Sequence, residues 1–284
     1  MSSQPMYEIE LRAPLHPEIP KDAVLKRVCP EIIDTYYMMQ PRLRVRQVMV
    51  EADGKSGRMG AVTMKTMLDN RSAGKVKEHE TNVEDAEAMI VAFDEAYQER
   101  IFSICGSRKE YTLPLSEGLA RRYVDRLPNI TSVTLCVDRI DGWKVREWSE
   151  VEVITPTEDK MLKPAMNLLH DVCKEQLGIE TRLTTETDYV EWQLRDRMLG
   201  YIDRCRREGR PATYNGLYKN FNHGKAAKYI DEVCKQLTGR LINANEDELS
   251  LRMPLEEARE SGELWQYKAP KCCGERQAIA ANVA

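Results

Sequence analysis

No stretch of about 18 apolar residues occurs anywhere in the 284 residues, so no helix is expected to span a membrane. The opening MSSQPMYEIE has neither a basic start nor an apolar core, and no secretory signal is expected. Charge of neither sign dominates: 42 Lys and Arg stand against 46 Asp and Glu. That balance excludes nucleic-acid binding by bulk charge, though not by a local basic patch. Only four histidines are present, and His16, His170 and His223 show no metal spacing. The eight cysteines form no paired C-x-x-C motifs at zinc-finger distance. Several sit in apolar runs, such as Cys136 in VTLCV and Cys173 in LLHDVCKEQL, which predicts buried reduced thiols and a cytoplasmic protein. Internal repeats and low-complexity blocks are missing. A P-loop is also missing: GKS at 54–56 lacks the required earlier glycine, Met49 standing in its place, and EADGKSGRMG predicts a hairpin loop.

What is present is alternation. YEIELRA, RLRVRQVMV, AVTMKTM, KVKEHETNV, VTLCVDRI and SEVEV all read with period two, as strands do. One helix interrupts them, EDAEAMIVAFDEAYQERI, with Ala86, Met89, Ile90, Phe93, Tyr97 and Ile101 on a single stripe. A second is expected in TPTEDKMLKPAMNLLHDVCKEQLG, with Thr155 as N-cap, Pro156 at the first helical position and Glu158 completing a capping box. Pro164 should kink it, and Gly178 should end it. Beyond about residue 195 the character changes: residues 200–230 hold seven Lys or Arg against two acids, interleaved with tyrosines. That segment suits either a helical cap packing its aromatics on the strands or a surface that touches RNA. Residues 268–284, which include Cys272 and Cys273, read as a loosely held tail.

Sorted by face, the charges segregate strand by strand. Acid pairs stand at Glu8/Glu10, Glu78/Glu80 and Glu150/Glu152, and a basic triplet at Arg42/Arg44/Arg46. Lys65 shares a face with Thr63, and Asp138 with Thr134 and Cys136, each opposite apolar neighbours. An antiparallel sheet closed into a barrel, apolar faces outward under helices, would set acids and bases around an enclosed channel. Clustered carboxylates bind Mg²⁺ or Mn²⁺, and inward arginines and lysines clamp a polyphosphate. His79, between Glu78 and Glu80, points to the opposite face.

The order of these motifs resembles the CYTH superfamily of triphosphate tunnel metalloenzymes. The matching residues are EIELR at 8–12, DTYY at 34–37, RVR at 44–46, TMK at 63–65, EHE at 78–80, RKEY at 108–111, Asp138 with Gly142, and EVE at 150–152. TTETDY looks like the family's C-terminal end, and the likeness spans roughly residues 6 to 195. It implies an α+β fold: a closed antiparallel β-barrel, or tunnel, with a charged interior and flanking helices. A CYTH-like domain at 6–195 would then carry a helical C-terminal extension at 196–267.

By the same resemblance, Glu8, Glu10, Glu150 and Glu152 hold the metal, with Asp138, Glu78 and Glu80 contributing. Arg44, Arg46, Lys65 and Arg108 hold the phosphates of a triphosphate-containing small molecule. Arg12 stands where a lysine is usual, which removes any general-base role from that position. Gly106 replaces a second basic residue, with Lys109 substituting if the strand is bulged. The implied activity is metal-dependent hydrolysis of a nucleoside triphosphate, tripolyphosphate or thiamine triphosphate, with Glu8, Glu10, Arg12, Glu150 and Glu152 as catalytic residues. Cyclisation of ATP, binding without turnover, and hydrolysis of RNA 5′-triphosphate ends remain as alternatives; the oligomeric state is left open.

Overall fold

The computed structural model describes residues 6–260 apart from 40–41, 53–54, 68–74, 98–101, 143–146, 157–158, 181–182, 185–188, 221–230, 232, 236 and 246–247. The expected tail at 268–284 lies outside the described residues. Eight antiparallel strands carry the fold: β1 (Met6–Ala13), β2 (Val24–Met39), β3 (Arg42–Ala52), β4 (Lys55–Met67), β5 (Lys75–Val83), β6 (Phe102–Pro114), β7 (Ser132–Ile140) and β8 (Glu147–Pro156). Hydrogen-bonded neighbours run β1-β5-β4-β3-β2-β6-β7-β8, and β8 pairs β1 from Met6↔Pro156 to Ala13↔Ser149. Among the described residues, β1 meets β5 through Tyr7, Glu8 and Ile9, opposite Lys77, Val76 and Lys75. The architecture is therefore α+β, with the antiparallel sheet curled into a half-barrel. The full closure expected from the sequence is not shown; among the described residues β1 and β5 meet over that three-residue ladder.

The sheet curls with its apolar face outward. Ile9, Leu11, Leu113, Leu135, Val151 and Val153 form one core with α2 (Glu117–Tyr123) and α3 (Asp159–Asp171). Tyr37 and Val45 form another with Ala86 and Ile90 of α1 (Ala86–Tyr97). Burying each such side chain stabilises the fold by about 1.5–3 kcal/mol. The opposite, charged face is left to line the hollow.

Two strands are poorly marked in the sequence. β2 contains Pro30, and its register slips between Val28 and Glu31 against β3 and between Cys29 and Ile32 against β6. A bulge at proline breaks the alternation that marks a strand. β6 contains Gly106, where an added Cβ would lie 2.2 Å from the Arg139 carbonyl oxygen. Backbone approach, and not chance, removes the basic side chain expected there. The hairpin expected around GKS is present, β3 and β4 pairing up to Ala52↔Lys55.

The start of α3 differs from expectation. Thr155 and Pro156 finish β8, paired with Tyr7 and Met6, and α3 begins at Asp159 and continues through Pro164. The pairing of β8 with β1 outcompetes the capping motif. Gly178 follows a π-turn at Val172–Gln176 with φ of +64°, a terminator that only glycine adopts without strain.

Helix α4 (Tyr189–Arg207) contains residues 195 and 196 within one continuous run. After it come β9 (Ala212–Thr213), α5 (Tyr214–Asn220), helical residues between 231 and 237, β10 (Ile242–Asn245), β11 (Glu248–Leu251) and α6 (Leu255–Glu260). Strands β10, β11 and β9 form a small sheet in the order β10-β11-β9, which with these helices makes a C-terminal unit. Its core continues into the curled sheet through Tyr36, Ile104, Ile140 and Trp148. Arg206 and Arg207 pair with Asp203, and Arg210 with Glu208, while Leu217 is buried in this core and Tyr214 and Tyr218 pack against it. No helix of the described residues is long and apolar enough to cross a membrane.

Candidate functional site

Strand order converts scattered motifs into two walls. β8, β1 and β5 are consecutive neighbours, so Glu150/Glu152, Glu8/Glu10 and Glu78/Glu80 lie side by side although up to 144 positions separate them. Arg42, Arg44 and Arg46 stand on β3, with Arg108 on β6 and Lys65 on β4. These residues line a cavity of about 290 Å³. Along β8 the interior positions run from Trp148, 1% exposed, through Glu150 and Glu152 to Ile154, 58% exposed, which marks the inner end and the mouth. Tyr189 and Trp192 of α4 pack edge-on against Trp148 at ring distances of 5.4 and 5.7 Å, across the inner end.

Within the acid wall, Glu10 and Glu152 are direct cross-strand partners. Ligand oxygens of Glu8, Glu10 and Glu152 lie within 4.8 Å of one another. Like charges set opposite each other destabilise a sheet, and buried carboxylates lose hydration. Burial raises Glu8, Glu10 and Glu152 above the ordinary carboxylate range; Glu152 is pushed further by Glu150 and Glu8, while Lys65 pulls Glu8 back and Arg12 pulls Glu10 back. Glu10 is 1% exposed and neither of its oxygens accepts a hydrogen bond, although Arg12 Nη2 is 2.7 Å away. Three converging hard oxygen donors suit Mg²⁺ or Mn²⁺.

Glu150 behaves differently. Burial opposes its ionisation, but Arg12, Arg108 and Lys65 outweigh burial and bring it down to about 2. Arg12 Nε donates to its Oε2 at 2.9 Å, and the Arg12 guanidinium lies 5.0 Å over the Tyr189 ring. Arg12 is thus a bridge between the acid wall and α4, a role for a planar fork that a lysine could not fill.

The basic wall is held by carboxylates of its own. Asp34 takes two hydrogen bonds from Arg46, at 2.7 and 2.8 Å, and one from Arg44 at 3.3 Å. Asp138 takes two from Arg108, both 2.7 Å, and one from the Tyr189 hydroxyl at 2.5 Å. Lys65 Nζ donates to Glu8 at 2.6 Å and lies 3.3 Å from Glu78. Its ammonium is held above the ordinary lysine range: burial opposes the charge, and Glu10, Glu8 and Glu78 outweigh burial. Such geometry orients guanidinium forks toward the hollow before any anion arrives.

Most expected site residues meet in this cavity: Glu8, Glu10, Arg12, Arg44, Arg46, Lys65, Glu78, Glu80, Arg108, Glu150 and Glu152 all line it. Lys109 does not; it is exposed on the outer face, because β6 alternates regularly from Arg108 to Glu110. Asp138 lies with Arg108 and Tyr189 and outside the converging ligand oxygens. Glu80, half-exposed, accepts from Thr63, and Glu78 neighbours Lys65 and Arg44. Asp34, Tyr36, Arg42 and Tyr189 also line the cavity. Asp34 and Tyr36 lie in the DTYY motif, Arg42 in the basic triplet and Tyr189 at the end of TTETDY, but none of the four was singled out as a site residue from sequence. Cys136 is buried as expected, but on the polar face beside Glu150 and Glu152.

No protein-family model and no curated protein matches the chain. Solved structures do. A conserved hypothetical protein from Pyrococcus furiosus is 21% identical, covering 65% of this chain and 98% of its own, with a TM-score of 0.48. A protein from Pyrococcus horikoshii OT3 is 18% identical, covering 66% and 98%, with a TM-score of 0.49. One from Vibrio parahaemolyticus, described as a "putative adenylate cyclase", is 13% identical, covering 66% and 98%, with a TM-score of 0.44. The curled antiparallel sheet fits a tunnel fold.

Proposed function

We propose that this protein is a divalent-metal-dependent hydrolase that removes the terminal phosphate of a triphosphate-containing small molecule, such as a nucleoside triphosphate, tripolyphosphate or thiamine triphosphate. The observation that carries this reading is the facing of an acid wall and an arginine wall across one cavity. Glu8, Glu10 and Glu152 would hold Mg²⁺ or Mn²⁺, with Glu150 beside them. When bound, the ion supplies charge neutralisation at the phosphoryl oxygens and a water of lowered pKa. Arg44, Arg46, Lys65 and Arg108 bind the non-bridging oxygens, and Asp34 and Asp138 hold three of those four in register. Tyr189 and Trp192 limit access from the inner end, so the polyphosphate enters past Ile154. Closure of a full tunnel around the substrate belongs to this proposal.

The test is ³¹P NMR product analysis on ATP, GTP, tripolyphosphate and thiamine triphosphate with Mg²⁺ or Mn²⁺, beside a Glu8→Gln/Glu10→Gln control. Metal-dependent release of orthophosphate, lost in the control, supports the proposal. Pyrophosphate with cyclic AMP, or tight binding without turnover, overturns it.

A further inference from the structure

We propose that Cys136, Glu150 and Glu152 form a second cation site, suited to a softer divalent ion of the Zn²⁺ class, that overlaps the all-carboxylate site at Glu152. The inference rests on the reading of the cavity as a cation site and is independent of hydrolysis. The Cys136 sulfur and one oxygen each from Glu150 and Glu152 lie within 4.8 Å of one another. Cys136 and Glu150 are register partners on β7 and β8, as are Thr134 and Glu152, so all three donors stand on rigid strands.

Of the deeply buried cysteines, Cys29 and Cys136 lie outside the apolar clusters; Cys29 lines a hollow with Arg27, Arg46 and Arg108, whereas Cys136 converges with two carboxylates. Cys173 belongs to the apolar core under α3, and Cys205 and Cys234 to that of the C-terminal unit. Cys136, 1% exposed, belongs to no apolar cluster and shares its face with Thr134 and Asp138. A separate observation also points to a cation here. Glu10, equally buried, accepts no hydrogen bond and is met only by Arg12 at 2.7 Å and Lys65 at 3.8 Å, while it faces Glu152 directly across the β1–β8 ladder. Glu152 itself has no hydrogen-bond or ion-pair partner among the described residues. On Glu150 both guanidinium contacts fall on Oε2, which leaves Oε1 for an ion.

Sulfur in the donor set selects against Mg²⁺ and toward Zn²⁺, Co²⁺ or Cd²⁺. Three protein ligands also leave a fourth position open, as in zinc sites that bind substrate. Binding forms a metal–sulfur bond and releases the thiol proton to solvent. Because Glu152 belongs to both donor sets, a soft ion in this site removes a ligand from the Mg²⁺ site, so Zn²⁺ competes with Mg²⁺ without sharing its full ligand set.

Cobalt titration of the full-length protein tests this, with ligand-field bands reporting binding and the near-ultraviolet thiolate-to-cobalt charge-transfer band reporting sulfur. The wild type should show both. Cys136→Ser should lose the charge-transfer band and about tenfold or more in Co²⁺ affinity, whereas Glu8→Gln should keep the band. Ligand-field bands without charge transfer in the wild type would overturn the proposal and leave the carboxylate site standing. No cobalt binding at all would sink both. A band that survives in Cys136→Ser belongs to another cysteine and also overturns it. If that variant does not fold, ¹¹³Cd NMR of the wild type decides: a resonance displaced downfield of the all-oxygen range supports a thiolate ligand, and one within that range refutes it.

Discussion

Arg46 and Asp34 are register partners across β3 and β2, and the guanidinium donates to both carboxylate oxygens, at 2.7 and 2.8 Å. The same carboxylate accepts from Arg44, so one acid holds two arginines. Burial opposes the charge on Asp34, but Arg44 and Arg46 outweigh burial and hold it well below the usual carboxylate range.

Asp34→Asn should therefore leave Arg46 without its carboxylate and Arg44 with only Glu78 and Glu80, at 3.7 and 3.8 Å. Breaking a buried pair from one side costs about 3–5 kcal/mol, to be read as a lowered urea midpoint at neutral pH. The wild-type advantage is present above the unfolded carboxylate value and is lost as pH falls through the lowered folded value. The two proteins should accordingly converge in strong acid. Added tripolyphosphate should rescue the variant in part, since an anion can replace the missing charge.

Glu152→Gln should have effects of opposite sign on the empty protein and on its response to metal. It removes a like charge from the face of Glu10, which should raise the melting temperature in EDTA by the equivalent of about 0.5–1 kcal/mol. It should also abolish the Mg²⁺-dependent rise in melting temperature. A carboxylate that served only the fold would show neither effect, and differential scanning fluorimetry separates the cases.

Metal affinity should rise with pH through and above the ordinary carboxylate range. Glu8, Glu10 and Glu152 keep their protons to higher pH than usual in the empty protein, and each must release its proton before it can ligate an ion. Over the same window the metal-free protein should lose stability, because the folded state binds more protons than the unfolded state. Calorimetric titration in two buffers of different ionisation enthalpy should register proton release on binding.

Arg108 and Lys109 are sequence neighbours on opposite faces of β6. Lys109→Ala should leave tripolyphosphate affinity within a factor of about two, as an exposed substitution does. Arg108→Ala should weaken it by about tenfold or more and leave Asp138 buried without its cation. Equal effects at both positions would contradict the register of β6.

Tyr189→Phe isolates the link between α4 and the cavity. The ring under Arg12 is kept and the hydrogen bond to Asp138 is lost, which should cost about 1 kcal/mol. An unchanged unfolding midpoint would show that the hydroxyl contributes nothing there.

The sequence by itself made much of this legible. Alternation gave away six strands and the acid and base on each, since strand side chains must alternate whatever the tertiary context. It failed at β2 and β6, where Pro30 bulges the ladder and Gly106 admits the Arg139 carbonyl. It also mistook the end of β8 for a helix start, because a local capping motif cannot know of the pairing offered by β1.

What the chain determines locally is which residues share a strand face: Glu8 with Glu10, Arg44 with Arg46, Glu150 with Glu152. Which faces become neighbours was decided only by the tertiary structure. The order β8, β1, β5 gathers three acid pairs that no local rule brings together, and Arg46 comes to stand on Asp34 because β2 and β3 pair in that register. Cys136 looked like core from its apolar neighbours and lies among carboxylates; Tyr189, the last residue of TTETDY and given no site role from sequence, closes over Arg12. Local conformation depends on nearest neighbours and is written into short windows. The site depends on strand pairing across more than a hundred residues, which packing of the whole sheet selects.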